Sequence, residues 1–246
     1  MPYLILSDLH ANREALEAVL QDASGRYDRI LCLGDLVGYG ADPNHAVEWV
    51  RSNASAAIRG NHDRICVDGD SIEEYNYAAQ ASAHWTREEL TESNSAYLRN
   101  LARGPLRIDS FDLCHGSPAD EDEYLIDPGD VAPLREELDS PVTFFGHTHV
   151  QGGFLIARRG IRRFVPGSLA GGGEVLEIEP DYFYLINPGS VGQPRDMDPR
   201  AAYAIYSPEN RTVEFRRAPY DIAGAAEKIL GAGLPPVLAK RLYEGS

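Results

Sequence analysis

A chain of 246 residues with 43% hydrophobic content is long enough to bury a sizeable core as one domain. Its formal charge of −15 argues against a protein that lives on nucleic-acid backbones or on anionic membranes, because both affinities rest on Lys and Arg meeting phosphates. Cys32, Cys66 and Cys114 are odd in number and two of them sit inside strand-like runs, which fits reduced buried thiols rather than a disulfide framework.

The chain opens on a strand-like run, Leu4 to Ser7, and no apolar stretch approaches the ~20 residues of a membrane span. A soluble, cytoplasmic protein is expected, with a homo-oligomer left open. Residues 11–23 follow with Ala15, Leu16, Val19 and Leu20 at helical spacing. The run from Ile30 to Leu33 is apolar on both faces, so it reads as a buried parallel strand, and the first strand, helix and second strand form a βαβ unit. Asp42 and Pro43 then mark a second helix as N-cap and first helical residue, with Ala46, Val47 and Val50 on its apolar face. From about Ser71 to Ala102 the pattern is helical and polar, carrying Tyr75, Tyr77, His84, Trp85, Tyr97 and Leu101. The segment from about 66 to 104 is expected to pack on the sheet, with a lid over the site as the alternative. Beyond it, strands are expected near 106–114, 142–146, 153–157, 161–165, 174–179, 182–186, 201–207 and 212–217, and closing helices at 223–230 and 236–242. No internal boundary or repeat is visible, so residues 1–246 are expected to form a single domain.

Five strand-like runs end in residues with metal-binding chemistry. They lead to Asp8 and His10, to Asp35 after Gly34, to Asn61 and His62 after Gly60, to His115, and to His147 and His149 after Gly146. In open α/β sheets ligands bind at strand carboxyl ends, which places Asp35 at the centre of one convergent site. Mixed oxygen and imidazole donors suit Mn, Fe, Zn or Ni better than Mg or Ca. In order and rough spacing these motifs resemble the calcineurin-like metallophosphoesterase superfamily. The stretch from Asn187 to Arg195 resembles a loop of its small bacterial phosphodiesterase branch.

The resemblance implies an α/β four-layer αββα sandwich, with two mixed sheets flanked by helices and a dinuclear metal site at the strand carboxyl ends. Carried over residue by residue, it gives one metal Asp8, His10, Asp35 and His149, and the other Asp35, Asn61, His115 and His147, with Asp35 as the bridge. It implies two divalent transition-metal ions, manganese first and Fe, Zn or Ni as alternatives, and attack of a metal-bridging hydroxide on a small phosphoester. His62 then contacts phosphate and protonates the leaving oxygen, while Asp63 either orients a partner or stabilises a turn.

There are departures too. Protein Ser/Thr phosphatases continue as G-D-x-V-D-R-G, and this chain has Gly38 and Tyr39 in place of the second Asp and the Arg. A small phosphodiester is therefore the expected substrate. The alternatives are a phosphomonoesterase, a protein or dinucleoside-polyphosphate phosphatase and, in another class, a non-catalytic metal-bearing interaction module. No duplex nucleic acid and no membrane are expected as partners. Arg195 reads as a solvated loop residue, unless its loop folds back on the site and restores a cation.

Overall fold

The computed structural model describes residues 1–69, 72–167 and 174–246. Ser71, expected to open the polar helical segment, lies outside the described residues. Leu4, Leu6, Ile30 and Cys32 face one way and Tyr3, Ile5, Leu31 and Leu33 the other, and both sets are buried. This two-sided burial is why β1 (Tyr3–Leu6) and β2 (Arg29–Cys32) run parallel in a sheet interior, joined by α1 (Arg13–Asp22). Asn12 caps α1 by accepting the Ala15 N–H at 3.1 Å.

The first sheet is completed by β3 (Ala56–Ala57), β11 (Ala201–Ser207), β12 (Thr212–Ala218) and β9 (Val175–Glu177), in the order β3-β2-β1-β11-β12-β9. The second sheet has the order β4-β5-β6-β10-β7-β8. Its strands are β4 (Leu106–Ile108), β5 (Phe111–Leu113), β6 (Val142–Phe144), β7 (Gly152–Ala157), β8 (Gly160–Phe164) and β10 (Phe183–Asn187). The expected strand near 106–114 is thus a hairpin of two strands. Each sheet contains one parallel trio, β3-β2-β1 and β5-β6-β10, among antiparallel neighbours.

The inner faces pack together through Ile5, Leu31, Phe111, Phe144, Tyr184 and Phe215. Outside the first sheet lie α1, α2 (Pro43–Asn53), α3 (Asn61–Val67) and α5 (Glu92–Arg99). The outer face of the second sheet is covered by the short α6 (Pro128–Val131) and the turn after it, through Val131 and Leu134 against Phe145 and Phe154. The α4 helix (Tyr77–Glu89) packs with α7 (Ile222–Gly231) and α8 (Pro236–Glu244) around Ala79, Ile229 and Leu238. Asp42 holds the N-cap position of α2 without a capping bond; its carboxylate instead accepts from Lys228 of α7 at 2.6 Å.

Cys32, Cys66 and Cys114 are all buried free thiols. Within the polar helical segment Trp85, Tyr97 and Leu101 pack against cores, Tyr77 and His84 are exposed, and Tyr75 reaches the site described below. Among the described residues no helix is long and apolar enough to cross a membrane.

Candidate metal centre

The loops leaving the two parallel trios meet at one rim of the sandwich. Asp8 and His10 follow β1, Asp35 follows β2, Asn61 and His62 follow β3, His115 follows β5, and His147 and His149 follow β6. The loops after β1 and β2 stay paired beyond the sheet: Asp8 N–H donates to Gly34 O at 3.0 Å and His10 N–H to Asp35 O at 2.9 Å. Gly34 has φ of +93°, and a Cβ there would stand 2.3 Å from Gly60 N, so only glycine lets the β2 and β3 loops touch. Asp8, His10, Asp35, His147 and His149 all take left-handed φ between 45° and 63°. Such backbone costs on the order of 1–3 kcal/mol per residue and persists where surrounding bonds hold it, as at functional sites.

All seven expected donors converge and are buried, none more than 4% exposed. Ligand atoms of Asp8, His10, Asp35 and His149 lie within 4.8 Å of one another, as do those of Asp35, His115 and His147. Asp35 is common to both groups. Asn61 joins the second through Oδ1, 3.1 Å from His115 Nε2.

The hydrogen-bond partners decide which atoms are free. Nδ1 of His10 faces Val37 O at 3.1 Å, that of His115 faces Leu33 O at 2.8 Å, and that of His149 faces Gln193 O at 2.5 Å. A carbonyl only accepts, so each Nδ1 carries a proton and each Nε2 points into the cluster. Nε2 of His10 and Nε2 of His149 then confront each other at 3.0 Å, lone pair to lone pair. Asp8 Oδ2, Asp35 Oδ2 and His147 Nε2 are buried without a hydrogen-bond partner. Unpaired acceptors packed this closely are costly unless cations sit among them, so the donor set fits divalent metal ions.

The neighbouring donors also shift one another's protonation. Burial works against charge on His115, but Asp35, with Oδ2 3.3 Å from Nε2, raises its pKa to about 10. Burial likewise opposes ionisation of Asp35, yet His115 and then His62 hold its carboxyl well below the usual range. Burial raises Asp8 to about 6 and lowers His147 to about 3.

Neighbouring groups hold the donors in place. Asp35 Oδ1 accepts the His62 N–H at 2.8 Å. Asp63 is a turn-organising carboxylate: its oxygens accept from Leu36 N and Val37 N at 2.8 and 3.2 Å, and from Gly60 N at 3.0 Å. Tyr75 OH accepts from Asn61 Nδ2 at 2.8 Å, which turns the amide oxygen toward His115, and donates to Asp122 at 3.1 Å. The ring of His62 lies 4.4 Å from that of Tyr39 and 5.0 Å from that of His10, its Nδ1 is unpartnered, and burial lowers its pKa to about 4.

The stretch from Asn187 to Arg195 folds back over the site. Val191 N–H donates to Ser7 O, Gly192 N–H and Ser190 Oγ to Asp8 O, and Arg195 N–H to His149 O, all within 3.1 Å. Arg195 is therefore not a solvated loop residue. Its guanidinium is half-buried 5.6 Å from the Tyr39 ring centre, held by Gln193 Oε1 at 3.1 Å. Tyr124, whose ring lies 3.9 Å from that of His147, was not legible as a site residue, because its acidic surroundings in sequence resemble a solvated loop.

Two mixed sheets that bring buried carboxylates and histidines to one rim define a metallophosphoesterase architecture, and comparison with known proteins agrees. The family model for the calcineurin-like phosphoesterase superfamily domain matches residues 1–211, and the chain belongs to that superfamily. It is 36% identical over 250 residues to an uncharacterized protein of Methanocaldococcus jannaschii, spanning 98% of this chain and 97% of the other. A metallophosphoesterase of Sphaerobacter thermophilus superimposes with a TM-score of 0.88 at 40% identity, over 100% of this chain and 99% of that one. A hypothetical protein of Pyrococcus horikoshii shares the fold, with a TM-score of 0.78 at 19% identity, 100% of this chain and 98% of that one being covered.

Proposed function

We propose that the chain, acting as one domain over residues 1–246, is a dinuclear metal-dependent phosphoesterase that hydrolyses a small phosphodiester. The observation that carries this reading is the pair of buried donor groups sharing Asp35, with unpartnered atoms on Asp8, Asp35 and His147. Asp8, His10, Asp35 and His149 would hold one cation, and Asp35, Asn61, His115 and His147 the other, with manganese the first candidate and Fe, Zn or Ni the alternatives. Two such cations, when bound, lower the pKa of water and neutralise phosphoryl charge.

The chain's own residues do the rest. Backbone carbonyls fix the His10, His115 and His149 tautomers, and Tyr75 aims the Asn61 oxygen. His62 is the group to protonate the leaving oxygen: it adjoins Asn61, its ring lies 5.0 Å from that of His10, and an anionic phosphate beside it favours the imidazolium that burial alone disfavours. A phosphomonoesterase is the second reading, favoured by Arg195, whose guanidinium supplies a cation that Tyr39 in its own position does not.

Elemental analysis tests the centre. The purified protein should carry two divalent ions per chain, His10→Ala should lose mainly one, and Asp35→Asn should lose both. Retention of two ions by Asp35→Asn would refute the bridge.

A further inference from the structure

Asn61 and His147 also line a cleft of about 750 Å³, within the size of ordinary small-molecule sites, so the donor cluster opens directly into it. Of the other walls only Tyr75 has a role so far, through its hydroxyl. Tyr75 and Tyr124 contribute aromatic rings, and Tyr124 is 48% exposed. Glu74, Asp120 and Asp122 bring three carboxylates to the cleft, where Arg64 is the lining guanidinium and Asp120 also meets Arg103 at 3.7 Å. The Arg64 guanidinium is already engaged, by Asp122 at 2.9 Å and by the buried Glu121 at 2.7 Å. Glu74 has no ion-pair partner among the described residues. At the inner end, Asn61 and His147 join the cleft to the donor cluster.

Resting on the phosphoesterase reading, we propose that this cleft receives a cationic, ammonium-bearing alcohol portion of the substrate ester. Tyrosine faces attract an alkylammonium, and nearby carboxylates add to that attraction. A polyphosphate tail would instead face the unpaired carboxylate of Glu74, and like charges so placed oppose binding. The same carboxylate disfavours dinucleoside polyphosphates whatever the metal site does.

Choline and its uncharged isostere 3,3-dimethylbutan-1-ol, titrated into the full chain and followed by NMR, isolate the charge from the shape and need no turnover. Choline should bind about tenfold more tightly, and the advantage should shrink in high salt and in Glu74→Gln. Equal affinities for the two probes would overturn the proposal. A second arm uses three p-nitrophenyl diesters with Mn(II), carrying choline, ethanol or the thymidine 5′-oxygen. The choline ester should lead in kcat/KM by about tenfold. Equal rates for all three, or a lead for the thymidine ester, would overturn the cleft assignment while leaving the phosphoesterase reading intact. No turnover of any ester in protein that carries its metals would overturn both.

Discussion

His62 is buried to 4% exposure between aromatic neighbours, with a free Nδ1 and no carboxylate to orient it. The cause is local: a Cβ on Gly38 would stand 2.7 Å from that nitrogen, so the Asp of the protein-phosphatase pattern has no room in this backbone. A proton donor matters most when the departing oxygen is basic. His62→Ala should therefore keep its metals and lose about 10²–10⁴-fold in rate on alkyl esters, but much less on nitrophenyl esters. Equal losses across leaving groups, measured by steady-state kinetics, would remove His62 from that role. At this scale the sequence was highly legible, because each donor follows a strand pattern and its residue type states its chemistry. Arg195 was not, since its position depends on hydrogen bonds to Ser7, Asp8 and His149, more than 40 residues away, which leave no local pattern.

Among the elements, the parallel strands were readable from their two-sided apolar runs, and the start of the second helix from Asp42 and Pro43. The aromatic residues of the polar helical segment were less so. Trp85, Tyr97 and Tyr75 all pack half-buried against the core, but only Tyr75, leaving the tight 3₁₀ turn Ile72–Glu74, also bonds Asn61. Nothing in periodicity separates these cases. The consequence is a structural coupling between that segment and one half of the donor set. Tyr75→Phe deletes the acceptor for Asn61 Nδ2 and leaves the amide free to turn. Loss of such an outer partner should weaken one cation by about 10–100-fold and leave the other tightly bound. Metal titration monitored by calorimetry checks this: two unchanged affinities would show that Asn61 is oriented by something else.

For the whole molecule, charge and cavity shape bear on the substrate together. A net charge of −15 and carboxylates lining the cleft beside the donors both oppose the approach of a duplex backbone, so no appreciable cleavage of duplex DNA is expected. Near the donors, one guanidinium stands over Tyr39, and a diester brings one negative charge where a monoester dianion brings two. The cleft beside His147 has room for a second ester group, which a monoester would leave empty. With Mn(II), bis(p-nitrophenyl) phosphate should therefore be turned over faster than p-nitrophenyl phosphate. A preference for the monoester by tenfold or more in kcat/KM, about 1.4 kcal/mol in transition-state binding, would overturn the diesterase assignment. Arg195→Ala should lower kcat/KM for the diester by about tenfold or more, the loss expected when a positioned cation no longer meets the phosphoryl oxygens. If the wild type instead preferred the monoester and Arg195→Ala abolished that preference, Arg195 would be the residue that reads the second charge.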